Sequence, residues 1–313
     1  MRFAMVSWNI TFEKEGQFRG SDRSSGRWSE TVADSGMRLV VNADDFGMTP
    51  AISRGVVQAH RAGIVTSTSL LGNCADLPSA SGLLGETPAL GVGVHLALIG
   101  GRPVAPAAAI PSLLDGTGAF LPRASNFFTQ WIRGQVKASE IETEFCAQID
   151  RVRAAGIVPD HLDTHHHLGF LPVVGKAMEA AARRYGIAGL RSLYEKPSLS
   201  WVAEPKRGLE AGLLSGLGWL TRRQMGMLRH GPQSWGFVES GQLDEVRILE
   251  IIGRLTAGAH ELICHPADQD VPELDGGERR YQRVQELAAL TSGRVRAAIE
   301  QRGITLCRWS DLT

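Results

Sequence analysis

Leu39-Val-Val-Asn-Ala-Asp-Asp-Phe-Gly47 begins as a short apolar run and ends on two adjacent carboxylates, Asp44 and Asp45. An apolar run of this length, bounded by a Gly-containing turn, reads as a strand buried on both faces of a parallel sheet. The C-terminal ends of such strands are where α/β proteins place their chemistry. Neighbouring carboxylates repel, so a cation or a shared proton at this end would account for them. A surface turn rich in Asp and Gly is the competing explanation. Three further strand-like runs favour the site, because each closes on histidine: His95, the cluster Asp160-His-Leu-Asp-Thr-His-His-His167, and Cys264-His-Pro266.

Outward from this strand, helix and strand patterns alternate. Pro50 opens a helix predicted to run to about Arg61, with Ile52, Val56, Val57 and Ala59 toward the core and Gly63 closing it. Further strands are predicted at 66–71, 91–98, 159–164, 187–193, 234–238, 261–264 and 304–307. Helices are predicted at 75–84, 138–155, from Pro172 to just before Gly186, at 244–257 and at 278–301. A Pro- and Gly-rich loop over roughly 99–126 is long enough to form an active-site rim. About seven or eight β-α units, with no Gly-x-Gly-x-x-Gly turn, predict an α/β fold built as a single β/α barrel of about seven strands.

The 313 residues, 43% hydrophobic and 21% charged, suit one barrel-sized domain. Lys plus Arg equals Asp plus Glu at 33 each, which argues against the basic field that nucleic-acid binding needs. Cys74, Cys146, Cys264 and Cys307 lack Cys-x-x-Cys spacing and read as free thiols in a reducing compartment. No run is apolar over the length of a membrane span, and the N-terminus lacks the order of a signal peptide, so a cytoplasmic location is expected. Residues 1–36, rich in Ser, Gly and Arg and without a period, read as a disordered or non-native extension, with Met37 as the natural start. Peptides upstream of Met37 in natively expressed protein would count against that start. The domain is then 37–313, with an insertion at about 197–230 on the barrel rim.

Along an extended strand, His161, Asp163, His165 and His167 would share one face. One imidazole of that face can reach a metal, and Asp163 can accept the second N–H of a ligating ring. Solvated loop histidines are the alternative. His95, in Gly-Val-Gly-Val-His-Leu, can be a satisfied core histidine, but its place at a strand end level with the others favours a ligand. One carboxylate with two imidazoles leaves positions open for water and substrate around zinc or another divalent ion. The second carboxylate is then free to accept a proton. His265, between Cys264 and Pro266, can protonate a leaving amine or can be a structural residue bonded to backbone. His60 is placed at a helix end, His230 and His260 near the surface, and the Cys264 side chain away from the mouth.

Asn42-Ala-Asp-Asp-Phe-Gly47, Gly63-Ile-Val-Thr-Ser-Thr68, Gly93-Val-His95, Asp160-His-Leu-Asp-Thr-His-His-His167 and Cys264-His-Pro-Ala267, in this order, resemble the YdjC-like carbohydrate deacetylases from about Arg38 onward. The resemblance implies a β/α barrel of the glycoside hydrolase/deacetylase type and metal-dependent removal of acetyl from an N-acetylated amino sugar. It implies Asp45, His95 and His165 as ligands of one divalent ion, zinc or magnesium, Asp44 as general base and His265 as acid. Gly100-Gly-Arg-Pro-Val104, Ile110-Pro-Ser-Leu-Leu-Asp115, Gly118-Ala-Phe120 and Trp235-Gly-Phe-Val-Glu-Ser-Gly241 look more like the hopanoid-biosynthesis-associated HpnK branch than the chitooligosaccharide deacetylase branch, ChbG. The HpnK branch implies an N-acetylglucosaminyl hopanoid as substrate.

The insertion mixes Trp201, Leu209, Leu213, Leu214, Leu217, Trp219 and Leu220 with Lys206, Arg207, Arg222 and Arg223. That composition suits peripheral contact with an anionic membrane or an apolar substrate tail, and equally a capping helix with a buried apolar face. A glycosidase would need two acids several ångströms apart on different strands and leaves the histidines without a task. A non-catalytic sugar-binding barrel would have lost expected residues, and none of the family positions is missing.

Overall fold

The computed structural model describes residues 36–192, 205–224, 231–275 and 281–312. The expected N-terminal extension up to residue 35, both ends of the rim insertion and His230 lie outside them. In chain order the elements are β1 (Met37–Phe46), α1 (Pro50–Ala62), β2 (Ser67–Leu71), α2 (Leu77–Gly85), β3 (Gly91–Leu96), α3 (Ala124–Ile132), α4 (Ala138–Ala154) and β4 (His161–Thr164). They continue with α5 (Pro172–Tyr185), β5 (Gly189–Leu190), α6 (Pro205–Gln224), β6 (Gln233–Trp235), α7 (Glu245–Arg254) and β7 (Gly258–Cys264). The chain closes with α8 (Pro272–Asp275), α9 (Arg283–Leu290), α10 (Gly293–Gln301) and β8 (Ile304–Leu306).

The strands pair in parallel in the order β5-β4-β3-β2-β1-β7-β6. β8 adds to Met37–Leu39 at the start of β1, below the stretch Asn42–Phe46 that pairs with β2. β5 and β6 end the row, and a side-chain bond crosses their seam: the Ser234 hydroxyl donates to the Ser192 carbonyl at 3.2 Å. The sheet is thus curled into a barrel with flanking helices, as predicted.

Strand alternation sorts the residues. Leu39, Val41 and Ala43 of β1 pack into the main apolar core with the helices. Val40 packs with Cys307 and Trp309 at the base of the barrel, and Asn42 and Asp44 above it make polar contacts across the interior. A core lined this way needs every inward polar group matched, because an unpaired buried group costs about 1–3 kcal/mol. Local signals set the helix ends. The Thr49 side chain accepts from the Ile52 N–H ahead of Pro50, and Asp244 does the same for Arg247 at α7. Gly186 closes α5 at φ 68°, a conformation that favours glycine.

Four expectations need correction. α3 lies partly inside the segment read as an irregular loop; of its residues only Phe127 is buried, too little to print a helical apolar period. The helix predicted at 278–301 is divided, with residues 276–280 outside the described residues, and Ser292 caps a new helix by accepting from the Arg294 N–H. β4 stops at Thr164, and the chain then enters a turn in which His166 and His167 have φ of 53° and 54°, so the predicted alternation does not reach the three histidines. His260 is buried rather than near the surface, taking a bond from the Trp235 indole N–H and facing the Thr256 carbonyl.

Candidate metal and catalytic centre

A regular strand would send Asp44 and Asp45 to opposite faces. β1 instead shifts register against β2 between Ala43 and Phe46, and Asp45 has φ 68°, in the left-handed region that costs a non-glycine residue energy. The irregularity turns both carboxylates toward the barrel mouth, where each comes within 4.8 Å of a His95 ring nitrogen.

Asp45 Oδ1 lies 3.1 Å from His165 Nδ1 and 3.6 Å from His95 Nε2. Burial would raise this carboxyl, but the bond and charge of His165, with Arg283 and His265, hold it well below the ordinary carboxylate range. His95 donates from Nδ1 to Asp163 Oδ1 at 2.7 Å, which directs Nε2 toward Asp45. Against burial, Asp163, Asp44 and Asp45 lift His95 to about 9. Asp45, His95 and His165 therefore present one carboxylate and two imidazoles to a common point, a donor set that fits zinc or a similar divalent ion. Asp44, His95 and Asp163 also lie close enough together, but there the cation position is taken by Arg191.

Arg191 is the residue that sequence reasoning missed. It follows the two-residue strand β5, is 3% exposed, and its guanidinium bonds three carboxylates: Asp44 at 2.6 and 2.7 Å, Asp163 at 2.6 Å and Glu261 at 2.9 Å. Burial opposes its charge, yet Asp163, Asp44 and Glu261 hold it firmly protonated. Against the burial that would raise it, Asp163 is kept far below its usual value by Arg191 and His95, whereas burial pushes Glu261 up. Asp44 Oδ1 accepts from Asn42 and Arg191 and is saturated, while Oδ2 accepts only from Arg191 Nη1 and keeps a lone pair.

His265 is buried at the end of β7, its ring edge-on to Tyr281 at 5.1 Å and its Nδ1 without a hydrogen-bond partner. Its backbone N–H donates to Glu286 at 2.6 Å. Burial pulls its pKa down to about 4, so the imidazole is neutral at pH 7. Arg283, also unforeseen, stacks on Tyr281 at 4.6 Å and reaches Asp45 at 3.5 Å. Of the three successive histidines, His165 alone joins the cluster. His166 packs on His165, and the His167 ring sits edge-on to Phe237 and Phe170. Cys264 points to the Asn42 carbonyl. Beside His165 opens a cleft of about 760 Å³ lined by Met48, Asn73, Arg102, Arg151 and Leu274, within the size range of small-molecule sites.

The sheet is a curled parallel barrel of the deacetylase type, and at its mouth an Asp-His-His cluster that would fit a divalent ion lies beside a clamped second Asp. The chain belongs to the YdjC-like protein family, whose model matches residues 38–301. It is 33% identical over 273 residues to a carbohydrate deacetylase of Geobacillus stearothermophilus, covering 87% of this chain and 96% of that one. It is 30% identical over 281 residues to a chitooligosaccharide deacetylase of Yersinia enterocolitica, covering 87% and 98%. Among solved structures it resembles an Enterococcus faecalis V583 protein, provisionally described as a cellobiose-phosphate cleavage protein. The TM-score is 0.71 at 28% identity, covering 89% of this chain and 100% of that one.

His95→Ala is expected to weaken zinc binding by more than the roughly 10–100-fold that loss of an outer-shell partner costs, and to abolish turnover with it. In the wild type, a proton on Nε2 competes for the same lone pair. Zinc affinity measured by calorimetry should therefore fall up to about tenfold per pH unit below the His95 pKa of about 9. Unchanged affinity in the variant would remove His95 from the ligand set.

Proposed function

We propose that this protein hydrolyses the acetamide of an N-acetylglucosaminyl group, releasing acetate and a free amine. The observation that carries the reading is the convergence of Asp45, His95 and His165 beside an Asp44 carboxylate that retains one free lone pair. A divalent ion held by the three would polarise the amide carbonyl and acidify water. Asp44 Oδ2, oriented by Arg191 and Asn42, takes a proton from the attacking water. His265, neutral at rest, receives the proton that Asp44 takes from water and delivers it to the departing nitrogen; its Nδ1 has no hydrogen-bond partner among the described residues. The cleft beside His165, with Asn73 and Arg102 at its wall, receives the sugar.

The finer reading is a lipid-linked substrate, an N-acetylglucosaminyl hopanoid, met at the membrane surface. Its support is α6. Leu214 and Leu217 pack against the core and the Thr221 hydroxyl bonds the Phe170 carbonyl, yet Leu209, Leu213, Trp219 and Leu220 are exposed by 68, 65, 48 and 46%. The sequence places Lys206, Arg207, Arg222 and Arg223 on the same helix, a composition suited to an anionic bilayer. No helix among the described residues is long and apolar enough to cross a membrane. A soluble chitooligosaccharide is the second reading, favoured by the name of the Yersinia enterocolitica relative.

Acetate release from the two substrates by zinc-reconstituted protein separates them. Release from the hopanoid alone supports the lipid-linked reading, and release from the oligosaccharide alone replaces it with sugar catabolism. Release from neither overturns the proposed substrate class.

A further inference from the structure

Beneath the metal-ligating cluster a chain of buried polar groups runs down the barrel axis. His95 Nδ1 meets Asp163 Oδ1 at 2.7 Å, Asp163 Oδ2 accepts from the Ser69 hydroxyl at 2.8 Å, Ser69 Oγ lies 3.1 Å from His161 Nε2, and His161 Nδ1 lies 2.6 Å from Asp160 Oδ1. Asp160 ends the chain, 17% exposed, on the wall of a cleft of about 800 Å³ on the opposite side of the barrel. Between those ends, His95, Asp163, Ser69 and His161 are all at most 2% exposed.

The interior is shaped around His161. The strands on either side carry glycine beside it: a Cβ at Gly93 would stand 2.4 Å from the imidazole, and one at Gly189 would stand 2.7 Å from the His161 Cβ. Trp309 closes the lower side, stacked on the ring at 4.9 Å with 15° between the planes. A histidine held on both flanks and one face is fixed to within a small rotation, so its Nε2 can only address Ser69.

Counting hydrogens sets the direction of the chain. A serine hydroxyl has one hydrogen, and Ser69 uses it on Asp163. Ser69 Oγ must then accept from its other two neighbours, Asn42 Nδ2 at 2.8 Å and His161 Nε2. Nε2 therefore carries the hydrogen that Ser69 accepts, and Nδ1 faces the Asp160 carboxyl at 2.6 Å. Asp160, His161 and Ser69 have the composition of a nucleophilic triad, but Ser69 is fully buried and its hydrogen is committed to Asp163, so a substrate carbonyl has no approach.

We propose that His161 is a positioning residue for the reaction assigned above: through Ser69 it fixes the Asp163 carboxylate, and through Asp163 the tautomer and orientation of the metal-ligating His95. Asp163 shares its other contacts with Arg191, so without Ser69 the carboxylate is drawn toward the guanidinium and away from His95 Nδ1. The Nδ1–H of His95 then loses its acceptor, and Nε2 loses the single tautomer a metal ion needs. The inference rests on the metal-centre reading of Asp45, His95 and His165.

The test measures zinc binding by apo protein, with thermal stability and acetate release recorded beside it, for His161→Phe, His161→Gln and Ser69→Ala. Phe retains the stacking on Trp309 but has no N–H for Ser69; Gln keeps an amide N–H; Ser69→Ala cuts the chain while leaving the ring in its socket. The expected result is zinc affinity weakened about 10–100-fold in His161→Phe and Ser69→Ala, with partial recovery in His161→Gln. A merely structural His161 would lower the melting temperature and leave zinc affinity within twofold of wild type in His161→Phe, and that result overturns the proposal even where Ser69→Ala, which touches Asp163 directly, weakens zinc. If His161→Phe fails to fold, His161→Leu, which likewise offers Ser69 no N–H, takes its place and decides on the same criterion. Wild-type protein that releases acetate and binds zinc while the variants bind it equally well sinks only the role of His161. Wild-type protein that binds no zinc sinks the metal-centre reading and this one with it.

Discussion

Asp44→Asn is expected to reduce kcat for acetate release by about 10²–10⁴-fold, the range for loss of a positioned general base, while zinc affinity stays within a few-fold of wild type. The carboxylate has two separate duties on its two oxygens. Oδ1 is filled by Asn42 and Arg191, and Oδ2 shares Arg191 but retains a lone pair, the one proposed to take the proton. An amide of the same shape keeps one acceptor and replaces the other with N–H. That N–H faces a guanidinium or the Asn42 amide, so the residue loses its basicity and its fit to Arg191 together. Asp45→Asn is the paired control. It sits 3.1 Å from His165 in the proposed ligand set, so on that reading it should lose zinc and activity in parallel. The reverse pattern, metal lost in Asp44→Asn and retained in Asp45→Asn, would exchange their roles.

That adjacent carboxylates can divide the work was only half legible in the sequence. The apolar run before them identifies the strand, and the strand end identifies the mouth of the barrel. What brings both side chains to the same mouth is the register shift and the φ of 68° at Asp45, and neither has a composition signature. The histidine cluster shows the same limit. Alternation places His161 and Asp163 on the inner face because both lie within β4, and it fails one residue later because the strand ends at Thr164. His165 reaches Asp45 from a turn whose next two residues are in the left-handed region.

Arg191 and Arg283 stayed invisible for a different reason. A single arginine has no spacing to read, and Arg283 sits within a segment that reads as one ordinary charged helix. A signal for Arg191 was nevertheless present. Asp44, Asp163 and Glu261 all fall at inward positions of strands predicted to surround one interior, and three inward carboxylates require more positive charge than a single divalent ion held by Asp45, His95 and His165 places beside them. The predicted strand at 187–193 has one inward basic residue near its C-terminal end, and that residue is Arg191.

Arg191→Met should accordingly be the most destabilising single change in the centre, by about 3–5 kcal/mol, the cost of leaving buried charge without its partner. For a domain of this size that is a fall in Tm of roughly 5–9 °C. Arg191→Lys should lie between, since an ammonium cannot reproduce bonds to Asp44, Asp163 and Glu261 from one planar fork. The deficit should depend on pH, and its sign follows from the carboxylates. In the wild type Arg191 depresses Asp163 below its unfolded value, so that contribution is complete above the unfolded pKa of about 3.9 and is lost only as pH falls through the folded one. Without the cation, the burial that already raises Glu261 acts there without its main opponent, and the depression of Asp163 loses its largest cause. The folded variant then binds more protons than the unfolded chain and loses stability as pH rises. Thermal melts from about pH 5 to 7.5 should therefore show the gap between Arg191→Met and wild type widening toward the upper end. A constant gap would mean that Arg191 acts through packing, and no gap would mean that the three carboxylates are neutralised by something other than its guanidinium.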